Sequence, residues 1–484
     1  MNKQFIRYVV GQVIGLEGIF LLLTSIVGAF YHEKNALPYV MCGCVYFLIG
    51  YYSRHKKPES NVFYATEGFI IVALSWIVLS ILGALPLFIT REIPNYIDAL
   101  FEIVSGFTTT GSTILSDPAM LSHVSLFWRA FTHWIGGMGI LVFVLAILPM
   151  AGGYAIHILK AESPGPTVGK LVSKMSLTAK ILYTIYTGIT LLEVIVLLIC
   201  KMPLFDSVCL SLATAGTGGF GLVGDSFVSY SSSVQIVVGI FMLLFGINFN
   251  IYYFILIGKI KDALKSEELK IYLGTILIST LLIAINIVGY YDGFFETIKH
   301  SFFQVSSIIT TTGFSSANFD LWPTFSKTIL VLLMFMGAMA GSTGGGIKVS
   351  RIVILLKEIK QNIIRYINPR RVYLVRFEKK RVDDDTLSSI KSYLVVYILI
   401  FIVSVVLLSL DSFDFTENFT AVAATINNIG PGLERIGPMG NFAGFSYFSK
   451  IILIFDMLTG RLEILPMLII FLPILKAADK KIRG

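Results

Sequence analysis

The chain has 484 residues, of which 55% are hydrophobic and 14% charged, and its mean hydropathy is positive. Soluble domains carry about 25% charged residues, so this composition excludes an ordinary water-soluble enzyme or adaptor and places the chain in a bilayer. The formal net charge of +8 is divided among short connections between apolar runs, which excludes the contiguous basic face that a nucleic-acid partner requires.

Apolar runs of about the 20 residues that cross a hydrocarbon core fall near 5–30, 36–52, 65–90, 124–151, 178–202, 232–258, 270–290, 326–362, 390–410 and 446–475. They predict about ten spans, the second short and the eighth interrupted. No small-residue cleavage site follows the first run, so it reads as a retained helix and not a signal peptide. Cys42, Cys44, Cys200 and Cys209 lie in or beside these runs without metal-ligand spacing, and read as small packing residues.

Basic clusters at Arg54-His55-Lys56-Lys57, Lys160–Lys180, Lys259–Lys270, Lys348–Lys391 and Lys476–Arg483 mark cytoplasmic connections. Four other segments, 89–123, 204–230, 290–326 and 409–449, hold thirteen Asp or Glu against only Arg91, Lys299 and Arg435. They are expected outside, as mouths that attract cations.

Each of these four segments contains a glycine-centred loop: Thr109-Thr110-Gly111-Ser112-Thr113, Thr217-Gly218-Gly219-Phe220-Gly221, Thr311-Thr312-Gly313-Phe314-Ser315 and, more loosely, Asn428-Ile429-Gly430-Pro431-Gly432. Each quarter reads as span, short helix, loop, span. In the first, Trp76 to Ile89 ends one crossing, Ile97 to Phe107 forms the short helix and Phe127 onward crosses back. Two crossings per unit give successive units the same orientation, so they pack about one axis, unlike inverted repeats. The expected fold is an all-α integral membrane protein with four parallel repeats, 61–155, 156–262, 263–385 and 386–484, around a pseudo-fourfold pore, preceded by two additional transmembrane helices in 1–60.

Non-helical backbone at membrane depth must be buried in protein or line a water-filled cavity. Short helices running inward would aim their carbonyl ends at the centre, where a cation is stabilised. Glycine admits the positive φ that lets successive carbonyls turn inward, and rings of carbonyls replace an alkali cation's hydration shell.

On these loops the chain resembles the Trk/Ktr/HKT superfamily of potassium transporters. On His133-Trp134-Ile135-Gly136-Gly137-Met138-Gly139 and the two extra spans before residue 60 it resembles the TrkH/TrkG branch, end to end. The resemblance implies a potassium-selective filter at Thr109, Thr110, Gly111, Thr217, Gly218, Gly219, Thr311, Thr312, Gly313, Asn428, Ile429 and Gly430, in the bacterial inner membrane with filter mouths outside. Glycine in all four repeats is similar to the potassium-selective members, whereas serine in the first marks sodium-passing plant relatives. The fourth repeat departs from the pattern through Asn427, Asn428 and Pro431. Proline keeps its carbonyl, so coordination survives in a ring that is not fully symmetric.

The run 326–362 is broken by Gly337-Ala338-Met339-Ala340-Gly341-Ser342-Thr343-Gly344-Gly345-Gly346-Ile347-Lys348. Each glycine weakens a helix by about 1 kcal/mol relative to alanine, so this stretch is expected to unwind. The resemblance implies a gate here, at Gly341, Ser342, Thr343, Gly344, Gly345 and Gly346, with Arg461 of the last span beneath the filter. Arg461 can donate to unwound carbonyls of the loop; pairing with Glu463 or Asp456 is the structural alternative. A phosphate-binding P-loop fails by register, since Ile347 follows Gly346 and Val349 follows Lys348. A close-packing glycine patch stays open.

His133 and Trp134 have no accompanying nucleophile motif, so helix packing is favoured over an intramembrane hydrolase and no catalytic residue is assigned. The resemblance further implies a homodimer and a TrkA-type cytosolic ring subunit that carries the nucleotide, with potassium as substrate and no covalent cofactor here. The basic stretches also suit anionic membrane lipids. The leading function is channel-like potassium uptake; the alternatives are a symporter using protons or sodium, with Glu102 or Glu463 as carrier, and, remotely, a membrane enzyme.

Overall fold

Backbone polar groups cannot stay unpaired in hydrocarbon, so apolar runs close their hydrogen bonds internally. In the computed structural model, which describes residues 2–56, 58, 65–139, 175–368 and 374–470, they do so almost entirely as α-helices. Among the described residues six helices are long and apolar enough to cross a membrane: Lys3–Phe30, Ala36–His55, Thr66–Ile89, Leu177–Ile199, Glu267–Asn286 and Asp384–Leu408. Their outward faces carry exposed Leu191, Leu192 and Ile195, or Ile398, Leu399 and Ile402, the reverse of a water-facing surface.

Two expected spans take a different course. The run 232–258 bends by 91° between Ser232–Phe245 and Phe249–Leu256. Gly246 ends the first helix and the Asn248 side chain caps the second by accepting from the Asn250 amide at 2.9 Å. The bend frees the carbonyls of Phe245 and Gly246, which instead accept from Thr343 and Met339. The run 446–475 forms Tyr447–Arg461, breaks at Glu463 and Ile464, which take positive φ, and resumes as Leu465–Ile469. The run 326–362 is broken as expected, into Thr324–Met336 and Val349–Ile367. A two-stranded antiparallel ribbon, Arg376–Phe377 with Lys380–Arg381, was not anticipated. The latter half of 124–151, the basic residues Lys160, Lys170 and Lys174, and the cluster Lys476–Arg483 lie outside the described residues.

Lys3–Phe30 and Ala36–His55 meet through glycines. A Cβ on Gly15 would lie 2.7 Å from the Gly50 Cα, so the backbones approach as small-residue membrane interfaces do. Residues 442–450 close onto residues 98–113: the Phe442 amide donates to the Thr113 carbonyl at 2.8 Å, and Lys450 pairs with Asp98 at 2.6 Å.

Candidate functional site

Four short helices, Tyr96–Phe107, Leu204–Ala215, Phe294–Ile309 and Phe415–Ile426, each run into one of the glycine loops. They end identically. Thr109 and Thr110 donate to the carbonyls of Gly106 and Ser105, Thr217 and Gly218 to Thr214 and Ala213, Thr311 and Thr312 to Ile308 and Ser307, and Asn428 and Ile429 to Thr425 and Ala424. This is the paired closure of a helix that ends through a left-handed residue. Thr109, Thr217, Thr311 and Asn428 take that conformation at φ of 55°, 53°, 59° and 55°. Asn428 therefore occupies the threonine's place, and the fourth loop matches the others in backbone where it departs in sequence.

Two residues on, Gly111, Gly219, Gly313 and Gly430 have φ of 80°, 80°, 86° and 106°. A Cβ built on each would fall within 3.0 Å of a carbonyl oxygen of the next loop: Gly111 against Gly218, Gly219 against Thr312, Gly313 against Ile429, and Gly430 against Thr110. The loops thus form a closed ring in chain order. Glycine is required twice over, by φ and by space. One cavity of about 70 Å³ touches all four glycines.

Polar side chains brace the ring. His133 bonds the Gly106 carbonyl through Nδ1 at 2.8 Å and accepts from the Phe220 amide at Nε2, 3.2 Å, so the geometry requires its neutral Nδ1–H tautomer. It ties the first short helix to the second loop, a packing role. Asn428 Nδ2 donates to Thr110 Oγ1 and to the Met457 carbonyl, both at 2.9 Å, and Ser112 Oγ donates to the Gly430 carbonyl at 3.0 Å. These bonds join the last loop to the first.

Arg129, missed in the sequence although it lies inside an apolar run, is 1% exposed and pairs with Glu102 at 2.7 Å. Its guanidinium sits 4.0 Å over the Phe220 ring, while Glu102 also accepts from Thr113 Oγ1 and the Ile114 amide. Removing one partner of a buried pair costs about 3–5 kcal/mol. Glu102→Ala is accordingly expected to lower the melting temperature of the detergent-solubilised protein sharply, and an unchanged melting temperature would refute this bracing role.

Directly beneath the ring lies the unwound stretch 337–348, with positive φ at Gly337, Gly341, Gly346 and Lys348. The Gly345 amide donates to Thr311 Oγ1 at 2.6 Å. A Cβ on Gly344 or Gly345 would fall within 3.0 Å of the Thr310 or Asn427 carbonyl, so glycine here permits contact with the ends of the short helices above. Ser342 Oγ donates to the Met339 carbonyl at 2.7 Å. Thr343 Oγ1 donates to the Phe245 carbonyl at 3.2 Å, and Lys348 Nζ donates to the Gly344 carbonyl. Arg461 donates to the Thr343 carbonyl at 2.7 Å and to those of Gly136 and Gly137 at 2.6 Å each. Of the alternative partners, Glu463 pairs with Arg351 and Asp456 accepts from Ser404 at 2.8 Å.

A helical body with several membrane-crossing helices, whose four interrupted segments converge on one ring above an unwound glycine-rich stretch, defines a multi-pass membrane protein. The profile of the TrkH family, described as cation transport proteins, matches residues 39–291 and 275–480. The chain belongs to that family. It is 35% identical to the Trk system potassium uptake protein TrkH of Salmonella typhimurium, over 98% of this chain and 99% of that one. It is 32% identical to the Trk system potassium uptake protein TrkG of Escherichia coli, over 97% and 99%. The crystal structure of the potassium transporter TrkH from Vibrio parahaemolyticus superposes with a TM-score of 0.87 at 30% identity, covering 97% of this chain and 98% of that one.

Proposed function

We propose that this chain takes up potassium through a gated, selective pore whose filter is the four-glycine ring and whose gate is the loop 337–348. The observation that carries the reading is the closed ring, in which Gly218, Thr312, Ile429 and Thr110 each bring a carbonyl against the glycine of the preceding loop. Such an array suits a partly dehydrated monovalent cation and offers nothing to an anion. The loop's contact with Thr311 from below supports its role as the obstruction, and the names of the relatives support potassium as the ion.

The acidic mouths face outward and the basic connections face the cytoplasm of a bacterial inner membrane. The chain works as a homodimer carrying a TrkA-type cytosolic ring that holds the regulating nucleotide, with anionic lipids at the remaining basic sites. The repeats divide at 61–155, 156–262, 263–385 and 386–484. Glu102 and Glu463 are each neutralised by an arginine, which favours bracing over proton carriage and passive conduction over symport.

The test is potassium and sodium flux into proteoliposomes under an imposed voltage at fixed pH, with and without the cytosolic partner. Voltage-driven potassium flux exceeding sodium flux is the expected result. Flux that needs a proton or sodium gradient even with the partner present would overturn passive conduction.

A further inference from the structure

Glu268, at the start of the Glu267–Asn286 helix, is 4% exposed and points one carboxylate oxygen at two amides. Its Oε1 accepts from Ala340 at 2.8 Å and from Ser350 at 3.1 Å. Those amides lie on either side of the stretch 341–349, so a single oxygen from another helix of the same repeat holds both ends of the loop together. The Ser350 amide is one of the donors that the Val349–Ile367 helix leaves unpaired at its N-terminus. Glu268 therefore caps that helix in trans.

The amide of Glu268 is itself held by the ribbon. Glu378 Oε1 accepts from that amide at 3.1 Å and from Ser266 Oγ at 2.7 Å. Glu378 and Lys379 form the ribbon's two-residue turn with φ of 49° and 63°, a conformation that favours Asn-Gly and is kept here by the bonds of Glu378. A second attachment fixes the ribbon to the helix beyond the loop: Lys357 donates to the Arg376 carbonyl at 2.8 Å and pairs with Glu267. Arg376, Lys379, Lys380 and Arg381 stay exposed. A cavity of about 850 Å³ is lined by the ribbon on one side and by Ala340 and Ser350 on the other, while Phe377 seats the ribbon on the buried cluster of Ile354, Val375 and Ile390.

We infer that Glu268 is the clamp that keeps the loop 337–348 closed, and that the Arg376–Arg381 ribbon sets the clamp through Glu378. This rests on the loop being the gate. The exposed basic residues give an acidic partner surface a handle on the ribbon, and drawing Glu378 away would loosen the start of the Glu267–Asn286 helix and with it the clamp.

The test reads potassium flux under fixed voltage for this chain alone, together with hydrogen exchange of the peptide spanning 340–350. Loss of the two hydrogen bonds that Glu268 accepts is expected to shift the loop about tenfold toward the open form. Glu268→Ala should therefore raise flux and exchange together, Glu268→Gln less because it keeps an acceptor, and Glu378→Ala in the same direction, all with the potassium-to-sodium ratio unchanged. A structural role alone would lower the yield of folded protein without raising flux. Should Glu268→Ala fail to fold, Glu268→Gln and Glu378→Ala carry the same test. Unchanged flux and exchange in these variants, while a chain lacking 342–345 conducts more, overturns the clamp and leaves the gate standing. No gain of flux in the shortened chain either overturns the gate itself.

Discussion

Gly313→Ser is expected to cut the potassium-to-sodium flux ratio by about tenfold or more, the effect of roughly 1.4 kcal/mol of differential stabilisation. At φ of 86°, a side-chain-bearing residue is strained by about 1–2 kcal/mol before any contact is counted. The added Cβ would also fall within 3.0 Å of the Ile429 carbonyl oxygen and of Pro431 Cδ. The oxygen must then turn away, and with it the coordination by which the proposed filter would distinguish a dehydrated potassium ion from a sodium ion. Because the loops close a ring, Gly430 moves with Ile429 and passes the displacement to Thr110. Gly188→Ser is the control: a Cβ there meets nothing within 4 Å, and the flux ratio should match that of the unaltered protein. A Gly313→Ser protein that keeps its preference for potassium would show that this ring is not the filter.

Much of this site was legible in the sequence because the ring imposes a local demand at each repeat. A residue that must hold positive φ against a neighbour's backbone is glycine, and the preceding threonine reappears three times, so the loops announce themselves at Gly111, Gly219 and Gly313. The fourth loop was harder because Asn428 replaces threonine. Its backbone equivalence shows only in the shared helix closure and in the φ of 55°. The glycine-rich break at 337–348 was legible for the same reason, since helix propensity is a local property.

Partners set by folding were not legible. Arg129 with Glu102, Glu268 with Ala340 and Ser350, and Ser112 with Gly430 join positions far apart in the chain, and no spacing marks them. Arg129 alone left a trace, a charge inside an apolar run. The 91° bend lay hidden because 232–258 is predominantly apolar, with Gly246, Asn248 and Asn250 the marks at the break. The ribbon was missed because Glu378-Lys379 lacks the glycine or asparagine that marks a two-residue hairpin turn.

Arg461→Ala is expected to raise potassium flux through the chain alone by about tenfold or more, one decade for each 1.4 kcal/mol by which the closed loop was favoured. The guanidinium joins two separate elements, the loop at Thr343 and the end of the His123–Gly137 helix at Gly136 and Gly137. Hydrogen bonds of this charged kind contribute about 1.5–3 kcal/mol each. The carbonyls of Gly136 and Gly137 belong to a helix C-terminus, the negative end of its dipole, which is where a cation is best held. Removing the side chain leaves the loop attached through Thr311, Glu268 and Lys348, so the expected outcome is a loop freed to move, not an unfolded one. Arg461→Lys should fall between, because a compact ammonium cannot span three carbonyls as a planar fork does. A fall in flux for Arg461→Ala at normal yield would mean that the arginine supports conduction, and the latch would have to be sought at Glu268 and Lys348 instead.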